Sequence, residues 1–271
     1  MELLKLLFTV VPTPKMFGIY HIICIVLMFA IAFLICKTHK EGDTDRVRRF
    51  VFWTAIIVIV LELYKQFYFS HSIIDGKLVF DYRWFDFPFQ FCSLPMYVGL
   101  LSRFVKKGGK VYNSLLSFLA TYAVFGGITV MVYPVQVFIG NVGVNIQTIV
   151  CHASMIVIGI YLYYSGVVKA EFKTLLKAMP VFAVSMVMAI VMNHVANGIG
   201  LNEGDAFNMF YISPFCPPNL PVYSMLQPIL PYPVCLVIYF VGFTLIAGLI
   251  LLIAMGVKKL GSKIKSKKVS I

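Results

Sequence analysis

Long apolar runs, separated by short polar or proline-containing stretches, follow one another along the chain from residue 16 to residue 257. A helix needs about 20 mostly apolar residues to cross the hydrocarbon core of a bilayer. The pattern therefore predicts an all-α membrane protein, a seven-transmembrane-helix bundle that forms a single polytopic domain over residues 1–271. The predicted spans are about 16–36, 50–69, 87–105, 111–133, 146–168, 174–197 and 232–257.

The composition supports this class of protein. Sixty per cent of the residues are hydrophobic and 13% are charged, whereas soluble domains have about 45–50% apolar and about 25% charged residues. The chain has no stretch left for a soluble domain. The first apolar run is longer than the roughly 7–15 residues of a signal-peptide core, so we expect it to remain in the mature protein.

Basic residues orient the predicted bundle. Eighteen of the 23 lysines and arginines fall in the 1–2, 3–4 and 5–6 connections and in the C-terminal tail. Because short cytoplasmic connections carry an excess of Lys and Arg, we expect the N-terminus outside and the C-terminus in the cytoplasm. The net charge of +12 then results from the basic residues on the cytoplasmic side, where they also attract anionic lipid. No nucleic-acid partner is predicted, since no recognition motif accompanies the charge.

The strongly polar residues within the spans all fall in the predicted outer half of the membrane. Glu62 and Lys65 are the ionisable pair among them, and their i, i+3 spacing puts them on one helix face where they can neutralise each other. Ionisable groups inside a bilayer are costly and usually functional. The alternative is a buried ion pair that only fixes how the helices pack.

Cys92 lies near the start of the third span, in the stretch "DFPFQFCSLPMYVG". Pro88 can begin this helix, because its missing N–H is not needed in a first turn. Pro95 would then leave the carbonyl of Phe91 without its usual donor and make the turn around the cysteine irregular. This irregularity favours free polar backbone groups beside Cys92 and a sulfur aimed toward His152, and the alternative is a proline kink with a packed cysteine.

A nucleophilic thiol needs a base or a positive charge beside it. His152, His194 and Lys65 are the candidates at the predicted depth, while Gln90, Asn193 and nearby backbone N–H groups could stabilise an oxyanion.

Cys151 and His152 are neighbours on a helix, about 100° apart, and cannot both face one centre. We expect His152 to face inward. No disulfide framework is predicted, because five of the six cysteines fall in spans and Cys216 stands alone in a connection. No metal site or cofactor is predicted either, since no two His or Cys residues have the i, i+4 spacing of helical zinc ligands.

The connection between the sixth and seventh spans, residues 198–231, is rich in prolines and aromatic residues. Connections longer than about 12–15 residues are usually functional lids or disordered linkers, and this one is too apolar to be disordered. We expect it to fold onto the outer mouth of the bundle as a lid. A fixed cap without a moving part is the alternative.

Several motifs between residues 50 and 240 resemble the YwaF-type bacterial integral membrane proteins. They are "ELYKQF", "FPFQFCSLP", "FGGITVMVYP", "QTIVCHASM" and the proline-rich stretch after "MNHVANG". That family is similar to the animal transmembrane protein 164 family, described as a cysteine-dependent acyltransferase that moves fatty acyl chains between phospholipids and ether lysophospholipids. The resemblance implies a nucleophile at Cys92 and a bacterial plasma membrane location. The usual bacterial motif has a histidine where this chain has Gln90, which favours His152 as the base.

The resulting prediction is an acyltransferase or transacylase whose partners are membrane phospholipid and lysophospholipid. Cys92 would carry the acyl group as a thioester. His152, or alternatively His194, would act as general base and then acid, and Lys65, held by Glu62, would meet a phosphate. The alternative is a non-enzymatic lipid- or small-molecule-binding protein or transporter that uses the same polar cluster as its pocket.

Overall fold

A computed structural model describes residues 7–201, 207–217 and 220–269 of the chain, and the fold is 69% helical. The helices and strands, in chain order, are α1 (Ile19–Lys37), α2 (Thr44–Phe69), β1 (His71–Ile74), β2 (Lys77–Phe80), α3 (Leu94–Ser102), α4 (Lys110–Ala120), α5 (Tyr122–Val132), α6 (Val142–Tyr164), α7 (Phe172–Gly198), α8 (Pro221–Leu226) and α9 (Tyr232–Val269). Short 3-10 turns cover Trp84–Asp86, Phe91–Ser93 and Met209–Tyr211.

Within the described residues, six helical segments are long and apolar enough to cross a membrane. They are α1, α2, α4 together with α5, α6, α7 and the first part of α9. The third predicted span, 87–105, differs from the expectation. Its helix covers only Phe91–Ser102, about 18 Å of helix, which is shorter than the hydrocarbon core of about 30 Å.

The short helix begins after Pro88, and its prolines do not occupy the positions that the sequence led us to expect. Pro88 lies in non-helical chain, and Pro95 lies in the first turn of α3, where no N–H is required. The N–H of Leu94 donates to the carbonyl of Phe91. The expectation that Pro95 leaves this carbonyl without a donor is therefore wrong.

The centre of the bundle is formed by α4, α5 and α6. In an apolar 18-residue window of the α4–α5 span and of α6, 72% and 67% of the residues are buried, against 22% in such a window of α1 and 17% in one of α9. The apolar side chains of α1 and α9 stay available for lipid. Gly127 lets α5 approach α6 closely, since a Cβ there would lie 2.6 Å from the carbonyl oxygen of His152. The close approach fixes the position of α6 relative to α5.

The basic connections meet at one end of the bundle, which we call the basic end (residues 38–43, 103–109 and 165–171). Lys107 Nζ lies 2.7 Å from Asp45 Oδ1, and Arg48 donates to the carbonyls of Arg103 and Val105 at 2.6 and 2.9 Å. These contacts join the first two of the three connections side by side.

The opposite end, which we call the hairpin end, carries β1 and β2, the connection 133–141 and residues 199–201, 207–217 and 220–231. The strands pair antiparallel with His71 opposite Phe80, and Asp75 and Gly76 both have positive φ, as a tight hairpin turn requires. In the predicted lid, 207–217 and 220–231 are described, and they include the 3-10 turn Met209–Tyr211 and α8. Residues 202–206 and 218–219 of the lid lie outside the described residues.

Candidate functional site

A buried carboxylate organises the polar cluster near the hairpin end. Glu62 is 5% exposed and accepts hydrogen bonds from Lys65 at 3.0 Å, Gln66 at 2.8 Å and Gln147 at 2.6 Å. The predicted pairing of Glu62 with Lys65 is confirmed. Because Gln147 belongs to α6, the carboxylate also fixes α2 against α6.

Gln66 connects this carboxylate to the non-helical chain that precedes α3. Its Nε2 donates to the carbonyl of Asp86 at 2.7 Å, and its Oε1 accepts from the hydroxyl of Tyr82 at 2.8 Å. Burial raises the pKa of Tyr82, so the phenol stays protonated and remains a donor at neutral pH. The non-helical segment before α3 is therefore held at a defined position along α2.

Cys92 lies in the 3-10 turn that leads into α3, and part of its surface remains accessible. Lys65 and Glu62 are close enough to act electrostatically on its thiol. The thiol of Cys151 donates to the Cys92 carbonyl at 3.6 Å. Cys151 is thus the member of the neighbouring pair 151–152 that contacts Cys92.

His152 is buried, with 5% of its surface exposed. Its Nδ1 lies 2.7 Å from the carbonyl oxygen of Thr148, and since a carbonyl only accepts, Nδ1 carries the proton in the neutral ring. Its Nε2 is then an unprotonated acceptor, buried and without a partner among the described residues. Within those residues, no hydrogen bond joins this ring to the thiol of Cys92.

Gln90 and Asn193 both hold the turn formed by residues 208–211, which we call the 208–211 turn. Gln90 donates to the carbonyl of Asn208 and accepts from the N–H of Phe210, each at 2.9 Å. Asn193 donates to the carbonyl of Met209 at 3.1 Å and accepts from its N–H at 2.8 Å. Both amides, predicted as groups that stabilise an oxyanion on the bound substrate, thus support the backbone of this turn.

The 208–211 turn has an unusual backbone. Phe210 and Tyr211 have φ values of 60° and 57°, a conformation uncommon in residues other than glycine. Tyr239 donates to the carbonyl of Phe210 at 3.1 Å. The ring of Phe210 stacks on Phe89 at 6.0 Å and meets the edge of Phe91 at 6.2 Å. A turn held by so many contacts can keep a strained backbone, and it covers the residues just before Cys92.

His194 takes no part in this cluster. Its side chain is exposed, its Nδ1 donates to the carbonyl of Ile190 at 2.8 Å, and its ring meets the edge of Phe215 at 5.2 Å. Because His194 directly follows Asn193 on α7, its side chain points about 100° around the helix axis from that of Asn193, which holds the 208–211 turn. Among the described residues, the structure brings it into no contact with Cys92.

Four polar residues of the cluster were not among the predicted site residues: Tyr82, Gln147, Asn208 and Tyr239. Gln147 could have been recognised, because it precedes Cys151 by four residues and so shares its helix face. The other three make their contacts from connections or from across the bundle, and no local spacing marks them.

Around Cys92 the Lys65 cation favours a thiolate, whereas burial and the Glu62 carboxylate oppose it. The positive end of a helix and a nearby cation both stabilise a thiolate, and the first turn of a helix leaves N–H groups without intrahelical acceptors. In this turn the N–H groups of Ser93 and Leu94 already donate to the carbonyls of Gln90 and Phe91, and Pro95 has no N–H.

Comparison with curated proteins finds no match, and comparison with solved structures finds none either. A family model for the TMEM164 family matches residues 16–255, which is most of the chain. The match includes the carboxylate cluster, α3 and the 208–211 turn. The chain therefore belongs to the TMEM164 family.

Proposed function

We propose that this protein is a membrane-embedded acyltransferase or transacylase that moves fatty acyl chains between phospholipids. The observation that carries the proposal is the position of Cys92, in the 3-10 turn that leads into α3 and within electrostatic range of the Lys65–Glu62 pair. Such a position is typical of cysteines with nucleophilic character.

In the proposed reaction, the thiolate of Cys92 attacks the ester carbonyl of a phospholipid. A thioester forms, the ester C–O bond breaks, and the leaving lysophospholipid takes up the proton that the thiol lost. A second lysophospholipid hydroxyl then attacks the thioester, which restores the thiol. We assign His152 as the base, because its Nε2 is a buried acceptor without a partner among the described residues. The exposed His194 is the alternative.

The remaining cluster residues would position the lipid. Lys65, oriented by Glu62, meets the phosphate, and the aromatic side chains around Phe91 line the acyl chain. Gln90 and Asn193 act through the 208–211 turn that they hold. Phospholipid and lysophospholipid are the proposed partners.

A non-enzymatic lipid-binding protein or transporter is the second candidate function. The observation in its favour is that the thiol of Cys92 has no hydrogen bond to an imidazole among the described residues. In that case the same polar cluster is a binding pocket, and serine should replace Cys92 without loss of function.

We also propose an orientation and a location. The non-helical chain before Cys92 together with α3 completes a seventh crossing, with the N-terminus outside and the basic end in the cytoplasm. The resemblance to YwaF-type proteins supports a bacterial plasma membrane. A single cysteine introduced at Asp75, in a variant without native cysteines, should react with an impermeant maleimide on intact cells, and one at Gly108 should not. The opposite labelling would invert the orientation.

Intact mass analysis tests the enzymatic proposal. Purified protein is incubated with phosphatidylcholine, and we expect an added mass equal to one acyl chain, removable by neutral hydroxylamine. Cys92→Ser should abolish the hydroxylamine-sensitive addition. Cys24→Ser is the matched control, because Cys24 is also partly exposed but belongs to α1. An unmodified wild-type protein under conditions of lipid turnover, or an addition that persists in Cys92→Ser, would exclude the thioester.

A further inference from the structure

A small cavity at the basic end of the bundle lies apart from the cluster around Cys92. Its volume is about 220 Å³, and it is bounded by α4, the connection 165–171 and the start of α7. Its polar lining side chains are Asn113, Ser117, Lys169, Glu171, Thr174 and Lys177. None of these residues belongs to the proposed acyl-transfer site.

Two cations in this cavity have no anionic partner. Lys169 and Lys177 are exposed, and neither forms an ion pair within the described residues. Glu171 contributes one negative charge to the lining, so the formal charge of the wall is positive. The cavity is therefore suited to an anion.

The positive end of α7 adds to this charge. The side chain of Glu171, at the N-cap position, makes no capping hydrogen bond, and the first turn contains no acidic residue. The N–H groups of Phe172 and Lys173 therefore lack intrahelical acceptors. Such a helix end attracts phosphate groups.

Ser117 provides an independent indication of a ligand. The residue is only 3% exposed and lines the cavity. Among the described residues, the only hydrogen bond of Ser117 that involves a side chain is the one that Thr121 Oγ1 donates to its carbonyl. A hydroxyl left without a partner in a cationic cavity is a donor available to a bound acceptor.

We infer that this cavity binds a phosphate group, held by Lys169, Lys177 and the hydroxyl of Ser117. Phosphate offers acceptor oxygens to each of these donors. The volume is below the roughly 300–1,000 Å³ of pockets for drug-sized ligands, so the cavity admits one compact headgroup rather than a whole lipid. The phosphate belongs either to a phospholipid of the leaflet at the basic end or to a free phosphate ion.

Thermal unfolding of the full-length protein tests this inference. In detergent, inorganic phosphate should raise the unfolding temperature, because a ligand that binds the folded state stabilises it. Sodium chloride of equal ionic strength should not. Lys177→Gln and Ser117→Ala should each raise the half-saturating phosphate concentration roughly threefold or more. Lys173→Gln is the matched control, since Lys173 is exposed one turn before Lys177 on α7 but does not line the cavity.

A second arm of the experiment identifies the source of the phosphate. The same variants are reconstituted in phosphatidylcholine vesicles with and without phosphatidylglycerol. Stabilisation by phosphatidylglycerol that is lost in Lys177→Gln assigns the site to a lipid headgroup, whereas a response to inorganic phosphate alone assigns it to the free ion. The inference is overturned if neither ligand stabilises the wild type, or if Lys173→Gln weakens the response as much as Lys177→Gln.

Discussion

Removal of the Glu62 carboxylate alone should cost more stability than removal of both charges of the Glu62–Lys65 pair. Breaking a buried ion pair costs about 3–5 kcal/mol. Glu62→Gln removes the anionic partner of the Lys65 ammonium. The Lys65 side chain is only 21% exposed, so water hydrates its charge only in part. The substitution also disturbs the hydrogen bonds from Gln66 and Gln147. We therefore expect a loss of about 3 kcal/mol for Glu62→Gln.

Lys65→Met should be milder, at about 1–2 kcal/mol, because the carboxylate keeps its two amide donors. The double variant removes both charges, and its loss should be smaller than that of Glu62→Gln alone. The coupling energy between the two positions is then about 2 kcal/mol.

The assay is thermal unfolding of the four proteins in one detergent. At about 2–4 °C per kcal/mol, Glu62→Gln should lower the unfolding temperature by roughly 6–12 °C. The double variant should recover part of that shift. Additive losses would refute the reasoning, because they would show that the two charges do not interact.

Two further predictions concern packing and the 208–211 turn. Gly127→Ala should destabilise the protein by about 1–3 kcal/mol, because the added methyl meets a backbone carbonyl of α6 that cannot move aside. Gly242→Ala, with open space around its Cβ, is the control, and equal unfolding temperatures for the two variants would contradict the packing argument. Asn193→Ala should cost about 2–4 kcal/mol, because it leaves the N–H of Met209 buried without its partner and its carbonyl with only the 3.4 Å bond from the N–H of Ile212. His194→Ala, next to it but exposed, should lie within about 0.5 kcal/mol of wild type, and protease cleavage near the turn should accelerate only in the asparagine variant.

The long helices could be predicted from the sequence because hydropathy measures the property that a bilayer selects. Six of the seven predicted spans correspond to helices of sufficient length. The third differs because hydropathy does not distinguish apolar helix from apolar irregular chain. Five of the seven residues 84–90 are apolar or aromatic, yet the segment is non-helical apart from the 3-10 turn Trp84–Asp86. Its polar backbone is held by a side chain of α2 and by its own turns.

The site was predictable where its contacts are local. The Glu62–Lys65 pair follows from a spacing of three residues on one helix. By contrast, Gln90 and Asn193 have roles that depend on the 208–211 turn, whose position no local pattern reveals. The contact between Cys151 and the Cys92 carbonyl likewise depends on how α6 is rotated, and the sequence fixes that rotation only through packing of the whole bundle.

The bonds from Gln90 to the 208–211 turn also have a consequence for biosynthesis. They span 118 and 120 residues of sequence, so the acceptor and donor that satisfy this amide are made long after it. At about 5–20 residues per second, the ribosome needs roughly 6–24 s to reach them. During that interval the segment around Cys92 lacks its hydrogen bonds to the 208–211 turn, and membrane chaperones and proteases can reach it. Truncation before residue 208 would make that state permanent.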